Sequence, residues 1–450
     1  MFSQSNKRAG SHMRKHELIA AALIFVFLAP PLQAKTPDPV QLIRQKEYLE
    51  AESALAADRG LSQTDRAFLE GVMANRRNQV QKSIRLLTRL LPSLARGSRG
   101  RAIIALSTLA DDYEKSFRYG DAANAYTELG RRYGTYMTET ERRRARNEAM
   151  RWNLLRGAPP QQVTVVGFFR VPTTRDRMGL PELVVRIEGQ PIPMILDTGA
   201  NLCTMNLSSA RRLKLKISAA RATSRGISGS VMIVRTTVVP ELQVGDAVLR
   251  NVAFMVLEDR DLDVPQLHYR FPGSLGFPVL SALGRITFFA DGQLGVGGSA
   301  RRPTPEESNF FLDRLTPVVA VTLNGTKGLF NIDTGATGSF FSALYYGSHL
   351  ADFEGQPRGS LNLMGAGGEA LIPVYFARSV ALVLGKGCVR LEDVPVLTQP
   401  RGTGDDRFYG TIGQDVLQEL QSYTFDFRTM HFRIEAPHCE PSNSATLKAR

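Results

Sequence analysis

Two six-residue phrases, Ile195-Leu196-Asp197-Thr198-Gly199-Ala200 and Asn331-Ile332-Asp333-Thr334-Gly335-Ala336, lie 136 residues apart in a chain of 450. Each sets one carboxylic acid after apolar residues and before Thr-Gly-Ala, so folding can bring two like acids together in matching turns. Carboxylates a few ångströms apart do not both ionise easily; one pKa rises while the other stays low. Two carboxyl groups sharing one proton can draw a proton from a bound water with the ionised member and polarise a carbonyl with the protonated one, as the opening of an amide bond requires. Such a pair titrates as a unit, so Asp197 and Asp333 receive no separate microscopic roles.

The elements that must position these acids are themselves repeated. At the same offset Pro181 answers Pro317, Val184 answers Ala320, Ile187 answers Leu323 and Gly189 answers Gly325. Downstream, Gly273-Ser274-Leu275-Gly276 with Val279 and Leu280 is matched by Gly410-Thr411-Ile412-Gly413 with Val416 and Leu417, one residue further on. Each half then closes on a strand-like segment, Ile286-Thr287-Phe288-Phe289 and Tyr423-Thr424-Phe425-Asp426-Phe427. This is an internal duplication of one unit.

The doubled phrase, its upstream strands and its Gly-rich closing motifs resemble the pepsin and retropepsin superfamily of aspartic peptidases over residues 161–437. The resemblance implies a first lobe at 161–300, a second at 308–437, and a catalytic dyad of Asp197 and Asp333. It also implies that Thr198 and Thr334 hydrogen-bond across the lobe interface. Gly199 and Gly335 would let the backbone approach and supply amides to the carboxylates, and Gly276 and Gly413 would be structural residues beside the dyad. Ala200 and Ala336 occupy the fourth position as in retropepsins, where many pepsin-like enzymes carry a hydroxyl. Losing that donor should leave the dyad pKa values higher, which predicts activity nearer neutral pH than in digestive pepsins. Two Gly-rich stretches, Gly226-Ile227-Ser228-Gly229 and Gly365-Ala366-Gly367-Gly368, stand at the flap positions and contact substrate in this reading. Pepsins use one flap bearing a tyrosine; retropepsin dimers use two without it, and this protein is similar to the second pattern. The resemblance therefore implies a retropepsin dimer fused into one polypeptide, active as a monomer and needing no cofactor.

Residues 38–156 read as consecutive helices, with apolar positions at three and four spacing in Leu69, Val72 and Met73, then Ile84, Leu87 and Leu90, then Ile104, Leu106 and Leu109. The run from Leu109 through Tyr113, Tyr119-Gly120-Asp121-Ala122-Ala123, Tyr126 and Leu129 resembles a tetratricopeptide unit, which implies a helical domain at 35–157 able to grip a protein partner. Gly157-Ala158-Pro159-Pro160 marks its end, because Pro-Pro cannot continue a helix.

The N-terminus reads as a signal peptide over residues 1–34. Leu18 to Ala29 is an apolar run preceded by Arg14 and Lys15 and followed by Leu32-Gln33-Ala34, in the layout of a cleavable secretory segment and short of the roughly 20 residues of a membrane span. Either Met1 or Met13 can be its start. We expect export across the inner membrane to a bacterial periplasm, with no transmembrane anchor after cleavage, and a disordered tail at 438–450. Of three cysteines, Cys203 reads as a small core residue; whether Cys388 and Cys439 pair is left open.

The formal charge of +13 resides mainly in residues 35–157, which reads as a solvated helix surface or an attraction for acidic partners. Nucleic acid is excluded as a partner by the lack of basic and aromatic interleaving. Asp259, Asp261 and Asp263 start like a calcium loop, but Val264 and Arg270 stand where Gly and Glu are needed, so a solvated loop is expected there. The six histidines contain no His-Glu-x-x-His, and no metal site is expected. The fold class is multidomain α + β: a helical-repeat domain followed by a mainly-β two-lobed acid-protease fold. The function implied is a secreted aspartic endopeptidase acting on selected envelope proteins. The alternative is a non-catalytic peptide-binding or assembly protein that holds an extended segment in the same cleft.

Overall fold

Helix ends in the N-terminal region are written in the local sequence. The computed structural model describes residues 38–57, 60–298, 304, 307–384, 387–401 and 408–436; the expected signal peptide at 1–34, Cys439 and the expected tail at 438–450 lie outside them. Helices follow in the order α1 (Pro39–Gln45), α2 (Tyr48–Ala57), α3 (Gln63–Arg76), α4 (Val80–Gly97), α5 (Arg99–Lys115), α6 (Tyr119–Tyr133) and α7 (Glu139–Asn153). The Asp38 side chain accepts from the Val40 amide with Pro39 in the first turn, where a missing N–H is no loss. Thr138 and Glu141 form a reciprocal capping box at α7. Buried Ala102, Ala105, Ala110, Ala122 and Ala123 let successive helices approach. Gly71 is forced by that packing, since a Cβ there would lie 2.5 Å from Leu87 Cδ2.

Part of the charge read from sequence as solvated surface is instead buried. Where strands Phe310–Asp313 and Thr316–Leu323 of the second lobe meet, the strand-end residue Asp313 and the turn residue Arg314 project into the helical region. Lys46 Nζ lies 2.5 Å from Asp313 and the Tyr48 hydroxyl donates to the same carboxylate at 2.6 Å. Arg314 reaches Glu148 at 3.0 Å and Glu114 at 3.5 Å. Arg77 donates to the Phe310 carbonyl at 2.7 Å and lies 3.8 Å over the Phe311 ring. Such pairs are individually cheap to lose only when both partners are replaced; removing one strands the other in the interior. Towards the first lobe, Thr236 donates to the Leu154 carbonyl at 3.3 Å.

In the β region two hairpins carry the acids. Pro181–Ile187 pairs antiparallel with Gln190–Leu196 around Glu188 and Gly189, both at positive φ. Thr316–Leu323 pairs with Thr326–Ile332 around Asn324 and Gly325, again both positive. Asn-Gly and residues like it tolerate that conformation, which matches the twist of the flanking strands. Each acid-bearing strand then pairs parallel with its closing strand, Leu196 with Leu275 and Ile332 with Ile412. A third sheet joins the halves in the order Phe168–Pro172, Gln293–Gly297, Arg285–Phe289, Ser422–Asp426, His431–Glu435. Thr287 and Thr424 face each other at its centre with their hydroxyls 2.9 Å apart, where the approximate twofold between the repeats must pass.

Candidate active site

Asp197 and Asp333 sit at the ends of equivalent strands, each held by its backbone amide to the closing strand: Asp197 N to Leu275 O at 3.1 Å and Asp333 N to Ile412 O at 3.0 Å. The two turns interlock. Thr198 N donates to Thr334 Oγ1 at 3.0 Å and Thr334 N to Thr198 Oγ1 at 3.0 Å, while Thr198 Oγ1 donates to Ile332 O and Thr334 Oγ1 to Leu196 O, both at 2.6 Å. Both threonines are buried, so this four-bond lattice fixes one acid relative to the other.

The glycines place each turn against the opposite carboxyl. A Cβ on Gly199 would lie 2.5 Å from Asp333 Oδ2, and one on Gly335 would lie 2.6 Å from Asp197 Cγ. No side chain fits at either position. The Ala200 amide donates to Asp197 Oδ1 at 3.0 Å and the Gly335 amide to Asp333 Oδ1 at 2.9 Å. Gly276 and Gly413 are equally constrained, since a Cβ on Gly276 would meet the Ala200 carbonyl at 2.5 Å and one on Gly413 the Ala336 carbonyl at 2.9 Å.

Burial pushes the Asp197 carboxyl up to about 6, against backbone donors at Ala200 and Gly199 and the Ser274 hydroxyl, which all favour the ionised form. The direction agrees with the sequence expectation of a raised dyad, but its first cause is burial rather than the missing hydroxyl at position four.

The two Gly-rich stretches meet at their tips. The first, between strands Ala222–Arg225 and Val231–Val244, and the second, between Gly359–Gly365 and Gly368–Leu384, are hairpins. Ile227 N donates to Ala366 O at 3.0 Å, and Ser230 Oγ to Gly367 O at 2.8 Å. A Cβ on Gly226 would lie 2.6 Å from Gly367 Cα, so the tips touch backbone to backbone. Gly229 and Gly367 take positive φ values of 82°, as tight turns require.

Several contributors were not evident from sequence. The 259–270 segment faces solvent as expected, and it is also ordered: Arg270 pairs with Asp263 at 2.6 Å and Asp259 at 3.2 Å, so two of the three acids of the apparent calcium loop hold a guanidinium. Its Asp261 carbonyl accepts from Gly367 N at 2.8 Å, and Gln266 Nε2 donates to Glu369 Oε1 at 3.1 Å, clasping the second flap to the first lobe. Gln414, buried next to Gly413, donates to the Thr334 carbonyl at 2.8 Å and accepts from Arg175 at 2.6 Å. Cys203 is free and buried and accepts from Gly276 N at 3.4 Å; 136 residues on, Ser339 Oγ does the same for Gly413 N at 3.0 Å. Cys388 is disulfide-bonded.

The family model described as aspartyl protease matches residues 183–279 and, separately, 319–416. A crystal structure of a retropepsin-like aspartic protease from Rickettsia conorii is similar at 17% identity, covering 31% of this protein and 93% of its own length, with a TM-score of 0.22. Among curated proteins nothing matches the sequence. Two separately matched repeats, interlocked at their Asp-Thr-Gly turns and preceded by a helical N-terminal region, are what this protein shares with the aspartyl proteases.

Proposed function

We propose that the protein is an aspartic endopeptidase that cleaves extended polypeptide by water activated between Asp197 and Asp333. The observation that carries this reading is the close approach of each carboxyl to the other repeat's glycine, which supports two acids acting in one site. One proton is shared by the pair. The ionised carboxylate takes a proton from water as its oxygen bonds to the peptide carbonyl carbon, and the protonated carboxyl gives its proton to the carbonyl oxygen. Collapse of the resulting diol breaks the C–N bond, with the nitrogen taking up a proton, to give a carboxylic acid and an amine. The flap tips supply backbone donors and acceptors for a substrate strand, and their closure excludes water, which strengthens the electrostatics of the site. A dyad supplied by one polypeptide makes the monomer sufficient.

The apolar run at Leu18 to Ala29 supports export to the periplasm, and a helical region fused to the protease supports a restricted set of envelope protein substrates over general digestion. The test is cleavage of a diverse peptide mixture by the protein from Lys35 onward, beside Asp197→Asn and Asp333→Asn. Products from the parent alone establish the reading. Absence of products from all three, each folded, would replace it with a protein that holds peptide without cutting it.

A further inference from the structure

Far in sequence from either aspartate, a cavity of about 570 Å³ opens between the C-terminal end of α4, the start of α5 and the end of α6. Its floor is apolar, formed by Leu91, Pro92 and Ala95, and three guanidiniums, Arg96, Arg99 and Arg132, line it. Arg131 at 2.7 Å takes the closer contact with Glu128, leaving Arg132 at 3.5 Å from the same carboxylate. Among the described residues, Arg96 and Arg99 pair with no carboxylate; Arg99 is held 4.4 Å over the ring of Tyr136, a side chain 53% exposed. Other helical arginines, such as Arg101 with Asp65 and Arg142 with Glu139, do have acidic partners at 2.5 and 2.6 Å.

The backbone adds to this positive field. Arg99 is the first residue of a helix of 17 residues, with no acid in the first turn and no side-chain hydrogen bond from its N-cap residue Ser98. A cation at that end opposes the helix dipole, so the arrangement is unfavourable until an anion arrives. Tyr133 is an independent sign of a missing partner: it is 5% exposed, it lines the cavity, and its hydroxyl makes no hydrogen bond. A bare inorganic anion would use the guanidiniums but leave the apolar floor and the tyrosine rings unused.

We propose that this cavity is a docking site for a carboxylate-bearing polypeptide segment, through an acidic side group or a free terminal carboxylate. The carboxylate takes charge-assisted hydrogen bonds from Arg96 and Arg99, and the adjoining apolar side groups rest on Leu91, Pro92 and the ring of Tyr136. The site is separate from the dyad and stands whether or not the cleft is catalytic.

The test is fluorescence anisotropy on the protein from Lys35 onward carrying Asp197→Asn, which keeps the probe intact. The probe is dye-labelled Leu-Ala-Leu-Phe-Glu-Glu with a free C-terminus, compared with Leu-Ala-Leu-Phe-Gln-Gln amide and with inorganic phosphate as competitor. The acidic peptide should bind at least about tenfold more tightly than the amide, and weaken as salt shortens the reach of the charges. Arg99→Glu should reduce its affinity about tenfold or more, while keeping or raising the melting temperature because it puts an acid at a helix N-terminus. A cleft-bound probe would ignore Arg99→Glu. Equal binding of the two peptides, unchanged affinity in Arg99→Glu, or displacement by phosphate at the concentration at which unlabelled peptide displaces would each overturn the proposal.

Discussion

The amide of Ile227 donates to the carbonyl of Ala366 across 3.0 Å, tying the tip of one flap to the tip of the other. That bond depends on two glycines whose backbones touch. Gly226→Ala would place a Cβ 2.6 Å from Gly367 Cα and 2.9 Å from the Ala366 carbonyl, neither of which can rotate away. We expect the flaps of this variant to close poorly, with KM for a peptide substrate raised about tenfold and the melting temperature within a degree or two of the parent, since closure gates the site without building the core. Unchanged KM would separate tip contact from substrate retention.

Activity should fall as pH rises past about 6. Catalysis requires one proton on the pair, and the Asp197 carboxyl is raised to about 6 by burial, so the proton is present below that value and lost above it. The Ser274 hydroxyl, which favours the ionised form, keeps this limb lower than burial alone would put it. Ser274→Ala removes that help, so the alkaline limb of kcat/KM should move to higher pH. A limb that stays put or moves down would show that Ser274 does not act on the dyad.

The acids, their threonines and both flaps were legible because each carries its chemistry in a few adjacent residues, and because every feature occurs twice. Asp-Thr-Gly announces its own turn. What was not legible depends on partners distant in sequence. Arg314 looks like any surface arginine until it is placed beside Glu148 and Glu114 of the helical region. The 259–270 excursion is solvated as its acids suggest, but the cation that orders it, Arg270, stands seven and eleven residues from its partners with no motif to join them. Gln414 follows the motif glycine Gly413, yet a single polar residue has no periodicity to betray its burial.

Gln414 should behave as a positioning residue. It is 1% exposed and bridges Arg175 to the carbonyl of Thr334, the residue that grips the opposite turn. Gln414→Ala leaves a buried carbonyl and a guanidinium unsatisfied and should destabilise by about 2–3 kcal/mol, read as a shifted urea midpoint. Gln414→Glu can still accept from Arg175 but, when ionised, cannot donate to Thr334. If the bond to Thr334 positions the dyad, the glutamate variant should lose kcat with KM nearly unchanged. A merely structural role would leave kcat of the glutamate variant at the parent level.

The helical region should prove to be part of the folded protease body and not a removable inhibitor. Its Lys46 and Tyr48 hold Asp313, and its Glu148 faces Arg314 at 3.0 Å. Against the burial that would raise it, Arg151 and Arg314 hold the Glu148 carboxyl down at about 2. A carboxylate with a lowered folded pKa contributes stability that is present above its unfolded value near 4.5 and lost as pH falls towards 2. Arg314→Ala leaves buried Glu114 without its cation and Glu148 with Arg151 alone, and should cost about 3 kcal/mol at pH 7. The gap between parent and variant melting temperatures should narrow as pH drops from 5 to 3, over the range where an unfolded glutamate takes up its proton. Deleting residues 35–158 removes every one of these partners at once and exposes Phe310 and Phe311, both fully buried, so the remaining polypeptide should fail to accumulate as soluble folded protein. A soluble, more active truncated protein would reverse this conclusion and make the helices a brake on the cleft.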